Sequence, residues 1–128
     1  MTEAGHGLGT VLVIDDEELV RNVSKLMLER IGYSVLLAAD GAAGIALFEQ
    51  HAPAVATVLL DLTMPGLSGL ETAARLRQLD PGVPIVLASG CSEDEAAARF
   101  AGLGLAGFLQ KPFQIPALRE KLSGAHRI

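Results

Sequence analysis

Five side chains with the means for ionic or phosphoryl chemistry follow short apolar runs in this 128-residue chain. Asp15 and Asp16 come after VLVI, Asp61 after VLL, Ser89 after IVLA, and Lys111 with Pro112 just past FL. If the runs are strands that end at one edge, three carboxylates, a hydroxyl and an ammonium meet there. Carboxylates that close repel in a partly desolvated pocket, so they either raise their pKa values or recruit a cation. Recruitment is the simpler outcome, and oxygen ligands with positions left for water suit Mg²⁺, with Mn²⁺ as the alternative. With a metal and Lys111 balancing charge, the Asp61 carboxylate could attack phosphorus and form a covalent acyl phosphate. Ser89 would then hydrogen-bond a phosphoryl oxygen, and the reactivity of the acyl phosphate would make the state temporary.

Each residue also has a plainer reading. Asp15 and Asp16 could merely cap a helix beginning near Glu17. Lys111 alone reads as a solvated strand-end lysine, and Ser89-Gly90 as a turn. Asp61 is harder to set aside, because it places a bare carboxylate between an apolar run and LTMPG at the rim of a core. The joint placement of all five favours the chemical reading.

The elements that would carry these residues alternate along the chain. The runs Val11 to Ile14, Val35 to Ala38, Val58 to Leu60, Ile85 to Ala88 and Phe108 to Leu109 are continuous rather than alternating with polar residues. That pattern suits parallel strands covered on both faces. Between them, helical spacing appears at Leu19, Val23, Leu26; at Ala43, Leu47; at Leu70, Ala73, Leu76; at Ala96, Phe100, Leu103; and at Ile115, Leu118, Leu122. Ser68 with Glu71 and Ser92 with Glu95 have capping-box spacing, while Gly32 and Gly124 are natural helix stops. Pro116 is tolerable in a first helical turn, whose backbone donors lack intrahelical acceptors. The expectation is an α/β fold, a doubly wound five-stranded parallel sheet, (βα)₅, flavodoxin-like, with strand order 2-1-3-4-5. Ligands in such sheets bind beyond the carboxyl ends of the strands, where the five residues lie. Residues 1–9, rich in Gly, read as a flexible lead or linker, 10–124 as the domain and 125–128 as a tail. There is no internal repeat and no sign of a second domain.

Composition excludes several classes. Half the residues are hydrophobic and 20% charged, so one aliphatic core is expected and long disorder is not. No apolar run approaches the length of about 20 residues needed to span a bilayer, and no secretory signal opens the chain, so a cytoplasmic location is expected. The single cysteine, Cys91, allows no internal disulfide. A formal charge of −5 argues against direct nucleic-acid binding.

These segments resemble the receiver domains of response regulators from Thr10 to about Ser123. VLVIDDEE is similar to that family's first strand and acidic pair, LLDLTMPGLSGLE to its phosphoacceptor segment, LASG to its switch-hydroxyl segment and FLQKPF to its lysine segment. The resemblance implies that Asp61 is phosphorylated and that Asp15, Asp16, Asp61 and the backbone carbonyl of Thr63 hold Mg²⁺. It further implies Ser89 as switch hydroxyl, Phe108 as switch aromatic, Lys111 as phosphate-binding lysine and a cis bond before Pro112. The implied switch draws Ser89 toward phosphate, admits the Phe108 ring into the vacated space and changes the surface around the last two helices. The implied partners are a histidine kinase, in cis or in trans, and a downstream phosphotransfer or output protein. Such a domain is no enzyme in the ordinary sense, since it catalyses only its own phosphorylation and dephosphorylation. GTVLVIDDEELVR and the segment from Leu87 to Phe113 are particularly similar to receivers at the C-terminus of hybrid sensor histidine kinases. Ser at 89, Phe at 108 and Thr at 63 replace commoner family residues, and Thr63 and Cys91 flank the acceptor.

Rival functions are weaker. An aspartate-nucleophile phosphatase should carry a second Asp two residues after the nucleophile, where this chain has Thr63. Flavin binding needs hydroxyls and backbone donors after the first strand, where Asp15 and Asp16 would repel the anion. A receiver-like interaction module that never accepts phosphate has the intact set of five residues against it. Cys91 reads as a passive small residue, and His6, His51 and His126 are too scattered for a metal or relay role. The stripe Leu103, Leu105, Ile115 has two readings, core burial by default and a weak homodimer surface as the alternative.

Overall fold

A computed structural model describes residues 7–62, 69–90, 94, 98 and 102–125. Five parallel strands, β1 (Thr10–Ile14), β2 (Ser34–Ala38), β3 (Val55–Asp61), β4 (Ile85–Ser89) and β5 (Gly107–Gln110), form one sheet in the order β2-β1-β3-β4-β5. This is the expected order. Helices α1 (Glu18–Ile31), α2 (Gly41–His51), α3 (Gly69–Leu79) and α4 (Ile115–Ser123) cover it, with a short 3₁₀ turn at Ala52–Ala54. Asp94 and Ala98 are helical as well. The expected caps at Ser68 and Ser92, like Glu95, Ala96 and Phe100, lie outside the described residues.

Alternate residues of each central strand enter opposite halves of the core, which explains why the runs are continuously apolar. Leu12, Ile14, Val58, Leu60, Ile85 and Leu87 pack with Phe48 of α2 and with Ala73 and Leu76 of α3. Val11, Val13, Leu59, Val86 and Leu109 pack on the other face with Leu28 of α1 and Leu118 and Leu122 of α4. The edge strand β2 departs from this rule: only Ala38 is fully buried, because one flank has no neighbouring strand.

The helical stripes depart from expectation on α1, on α2, at Leu70 and at Leu103. On α1 the stripe Leu19, Val23, Leu26 faces solvent, with Leu19 74% and Leu26 67% exposed, while Ser24 and Leu28 are buried. On α2 the buried positions are Gly41, Gly44 and Phe48; Leu47 packs half-buried against the first core cluster as expected, whereas Ala43 is exposed. Ala73 and Leu76 of α3 do face inward, but Leu70 is 42% exposed. Leu103 is not helical: Gly102 and Gly104 on either side have positive φ, and Leu103 and Leu105 pack against the first core cluster. These two are therefore partly buried against the core, in the direction of the default reading of that stripe.

Asp40 caps α2, its carboxylate accepting from the Ala43 amide at 2.8 Å. Gly32 ends α1, its amide donating to Leu28 O. The lead is tied where it meets the sheet, since the Leu8 amide donates to Gly32 O and Gly9 O accepts from the Ser34 amide. Arg77, on the last turn of α3, donates from Nε to Leu103 O at 2.8 Å, from Nη1 to Val83 O at 2.6 Å and from Nη2 to Gly104 O at 3.0 Å. One guanidinium thus joins the turn after α3 to the connection entering β5. Among the described residues, no helix is long and apolar enough to cross a membrane.

Two glycines permit close approaches. A Cβ at Gly44 would overlap the Ile14 side chain, so α2 sits on β1 only without one. A Cβ at Gly69 would lie 2.6 Å from Leu62 O and 2.9 Å from Asp61 O, both backbone atoms that cannot step aside cheaply. Gly69→Ala is therefore expected to lower unfolding free energy by about 1–3 kcal/mol. Urea denaturation checks this, and an unchanged midpoint would show that α3 does not depend on the close approach.

Candidate functional site

The parallel ladder continues past the strands and fixes the residues that leave them. The Asp15 amide donates to Ala38 O, the Leu62 amide to Ala88 O and the Lys111 amide to Ser89 O. Asp15, Asp61, Ser89 and Lys111 thereby leave the sheet at one edge, each held by main-chain bonds to a neighbouring strand. Carboxylate oxygens of Asp15, Asp16 and Asp61 all lie within 4.8 Å of one another. Asp15 and Asp61 are buried, at 3% and 5% exposure, and Asp16 is exposed.

Lys111 bridges the buried pair, its Nζ lying 2.8 Å from Asp15 Oδ2 and 3.1 Å from Asp61 Oδ1. Burial by itself would pull the ammonium pKa down. The hydrogen bond to Asp15 and the charges of Asp61 and Asp15 outweigh that and hold it above the ordinary lysine value. Glu17 stands farther off, with Oε1 at 3.8 Å from Nζ. Asp15 uses its two oxygens separately: Oδ1 accepts from the Glu17 amide at 2.9 Å in a turn just ahead of α1, while Oδ2 faces the lysine. Capping, the plainer reading of the acidic pair, is not what the structure shows: the N-cap of α1 is Glu17, without a side-chain capping bond.

The other expected site residues are placed as follows. Ser89 is buried at the end of β4, in register with Gln110 of β5. Phe108, 8% exposed, lies opposite Leu87 on β5 and joins the first core cluster. The Lys111–Pro112 bond is cis. Thr63 lies outside the described residues. Two neighbours were not anticipated. Glu17 follows the acidic pair directly, and Arg21 donates from Nη1 to Asp15 O at 2.9 Å. The signal for Arg21 is its position in the first turns of α1, because helical side chains lean toward the N-terminus and therefore toward Asp15.

The donor set fits a hard divalent cation. All the ligand atoms are carboxylate oxygens, and exposed Asp16 opens the cluster to solvent. Three ionised carboxylates against one ammonium leave a formal charge of about −2, which a divalent cation would cancel. Beside this cluster, a hollow of about 400 Å³ is lined by Glu17, Leu19, Val20, Val23, Lys111 and Phe113, bringing the exposed face of α1 up to the site.

With this geometry in place, the comparisons with known proteins agree. Residues 11–123 match the response regulator receiver domain family, and the chain belongs to it. It is 36% identical over 127 residues, 98% of its length, to the uncharacterized transcriptional regulatory protein YkoG of Bacillus subtilis, covering 52% of that protein. It is 34% identical over 116 residues to the sensor histidine kinase AruS of Pseudomonas aeruginosa, covering 88% of this chain but 11% of AruS. Among solved structures, Vibrio cholerae chemotaxis protein CheY4 superposes with a TM-score of 0.85 at 26% identity, over 91% of this chain and 98% of that one. The chain thus spans about half of YkoG and about a tenth of AruS.

Removing the bridging ammonium leaves two buried carboxylates facing each other. Lys111→Ala is expected to stay folded but to lose on the order of 2–3 kcal/mol of stability in the presence of EDTA, with Mg²⁺ restoring much of it. Thermal melts with and without Mg²⁺ check this, and equal melting of variant and wild type in EDTA would show that Lys111 is not the counter-ion.

Proposed function

We propose that the chain is the phosphoacceptor of a two-component phosphorelay, taking a phosphoryl group from a histidine kinase phosphohistidine onto Asp61 with Mg²⁺, or Mn²⁺, bound. The observation that carries this is Lys111 Nζ held between Asp15 and Asp61 in a cluster whose carboxylate oxygens lie within 4.8 Å. Asp15, Asp16, Asp61 and the backbone carbonyl of Thr63 would hold the cation. When bound, it neutralises carboxylate charge and polarises the phosphoryl oxygens.

The remaining work falls to side chains of the protein. A carboxylate oxygen of Asp61 forms the new bond to phosphorus as the bond from phosphorus to the donor imidazole nitrogen breaks. The electron pair stays on the imidazole, which then takes up a proton. Lys111 stays protonated and moves from pairing with Asp61 toward a phosphoryl oxygen, since the acyl oxygen carries less charge after the transfer. Ser89, at the end of the adjacent strand, donates its hydroxyl to another phosphoryl oxygen. The vacated space receives the Phe108 ring, and the altered surface is read by a downstream phosphotransfer or output protein. In this reading the domain catalyses its own phosphorylation and dephosphorylation and works in the cytoplasm as a unit of residues 10–124.

Likeness to part of AruS supports a hybrid-kinase context, with the donor in cis, while likeness to nearly all of CheY4 supports a donor in trans. In either case the donor meets the exposed apolar face of α1 beside the acidic cluster.

Incubation with acetyl phosphate and Mg²⁺, followed by intact mass measurement, tests the assignment. Wild type is expected to gain one phosphoryl group, and Asp61→Asn none. A phosphorylated Asp61→Asn protein would move the acceptor elsewhere, and an unmodified wild type would favour an interaction module that never accepts phosphate.

A further inference from the structure

We propose that Arg21 is a positioning residue that sets the direction of the Asp16 carboxylate and, through it, the affinity of the acidic cluster for a divalent cation. The inference rests on the cation-dependent reading above and extends it to a residue outside the ligand set.

The three carboxylates are held differently. Asp15 is fixed at its side chain by the Glu17 amide and by Lys111. Asp61 is fixed by Lys111 at the end of a strand paired on both sides. Asp16 differs. It is exposed, and among the described residues no hydrogen bond or ion pair reaches its carboxylate. Its direction therefore depends on the backbone that carries it. That backbone is the peptide plane joining Asp15 to Asp16, whose oxygen is Asp15 O, the acceptor of Arg21 Nη1 at 2.9 Å. Because the peptide unit is rigid, holding its oxygen fixes the rotation of the plane and the angle at which Asp16 leaves β1. The Asp15 amide is held on the other side by Ala38 O. Arg21 is itself anchored, its amide donating to Glu17 O at 2.9 Å in the first turn of α1.

Arg21 has a second effect of opposite sign. A guanidinium near a cation site repels the cation, so loss of its charge alone would tighten binding. Loss of the hydrogen bond would loosen binding by disordering Asp16, and outer partners of metal ligands typically carry about 10-fold or more in affinity. The bond here is a single donor on a single carbonyl, which a lysine can replace without the two-pronged geometry peculiar to arginine.

Mg²⁺ affinity is measured by calorimetry on wild type, Arg21→Met and Arg21→Lys. The Mg²⁺ concentration giving half-maximal phosphorylation by acetyl phosphate is measured alongside. Arg21→Met is expected to bind Mg²⁺ about 10-fold more weakly, with a matching shift in the half-maximal concentration. Its rate at saturating Mg²⁺ should stay near wild type, and Arg21→Lys should recover most of the affinity. Unchanged or tighter binding by Arg21→Met would overturn the proposal, as would a lower rate at saturating Mg²⁺ with affinity intact. Circular dichroism establishes that each variant is folded; if Arg21→Met is not, Arg21→Leu, which likewise has no donor, carries the same expectation. Failure of wild type to bind Mg²⁺, with Asp16→Asn indistinguishable from it, would overturn this inference together with the function it rests on.

Discussion

Confinement of like charge around one ammonium is the constraint on which the site depends. Asp15 and Asp61 are almost wholly buried, and Lys111 is the cation that touches both. Two carboxylates placed so close repel each other, and the ammonium between them offsets that repulsion. The sheet leaves them little freedom to separate. β1 and β3 are adjacent parallel strands, and Leu62 and Lys111 are tied by main-chain bonds to β4 as they leave it. Strand order brings the charges together, and the cluster remains short of positive charge. That shortfall is one a divalent cation could make up.

The sheet was legible because its signal is redundant. Each central strand is buried on both faces, so a run such as VLVI or IVLA reads as a strand whichever way it is turned. Helices were harder, since their periodicity shows that a stripe exists without showing which stripe meets the sheet. On α1 the more conspicuous one, Leu19 with Val23 and Leu26, lies outside, and the inward face includes Ser24, which carries no apolar signal. On α2 the inward face includes Gly44, where a missing side chain is what allows the close contact with Ile14.

The candidate site was legible for a different reason. In a parallel α/β sheet, residues ending the strands share one edge by topology, so Asp15, Asp61, Ser89 and Lys111 could be grouped without knowing any distance. The division of labour within Asp15 could not be read in that way. Capping and site chemistry looked like competing accounts, yet one oxygen of the carboxylate holds the turn ahead of α1, whose N-cap is Glu17, while the other faces Lys111. Glu17 and Arg21 escaped because neither ends a strand: Glu17 is the N-cap of α1, and Arg21 reaches Asp15 O by the backward lean of side chains in the first turns of that helix.

The clamp made by Arg77 bears on how this domain tolerates sequence change. Its acceptors at Val83, Leu103 and Gly104 are all main-chain oxygens. Every residue type supplies such an oxygen, so the guanidinium places no demand on which side chains fill those turns, only on the path the chain follows. Apart from Gly102 and Gly104, whose positive φ favours glycine, substitutions there leave these acceptors in place, while replacement of the single arginine would release both turns together. The anchoring of two turns is thus concentrated in one codon and withdrawn from the several that encode the turns themselves.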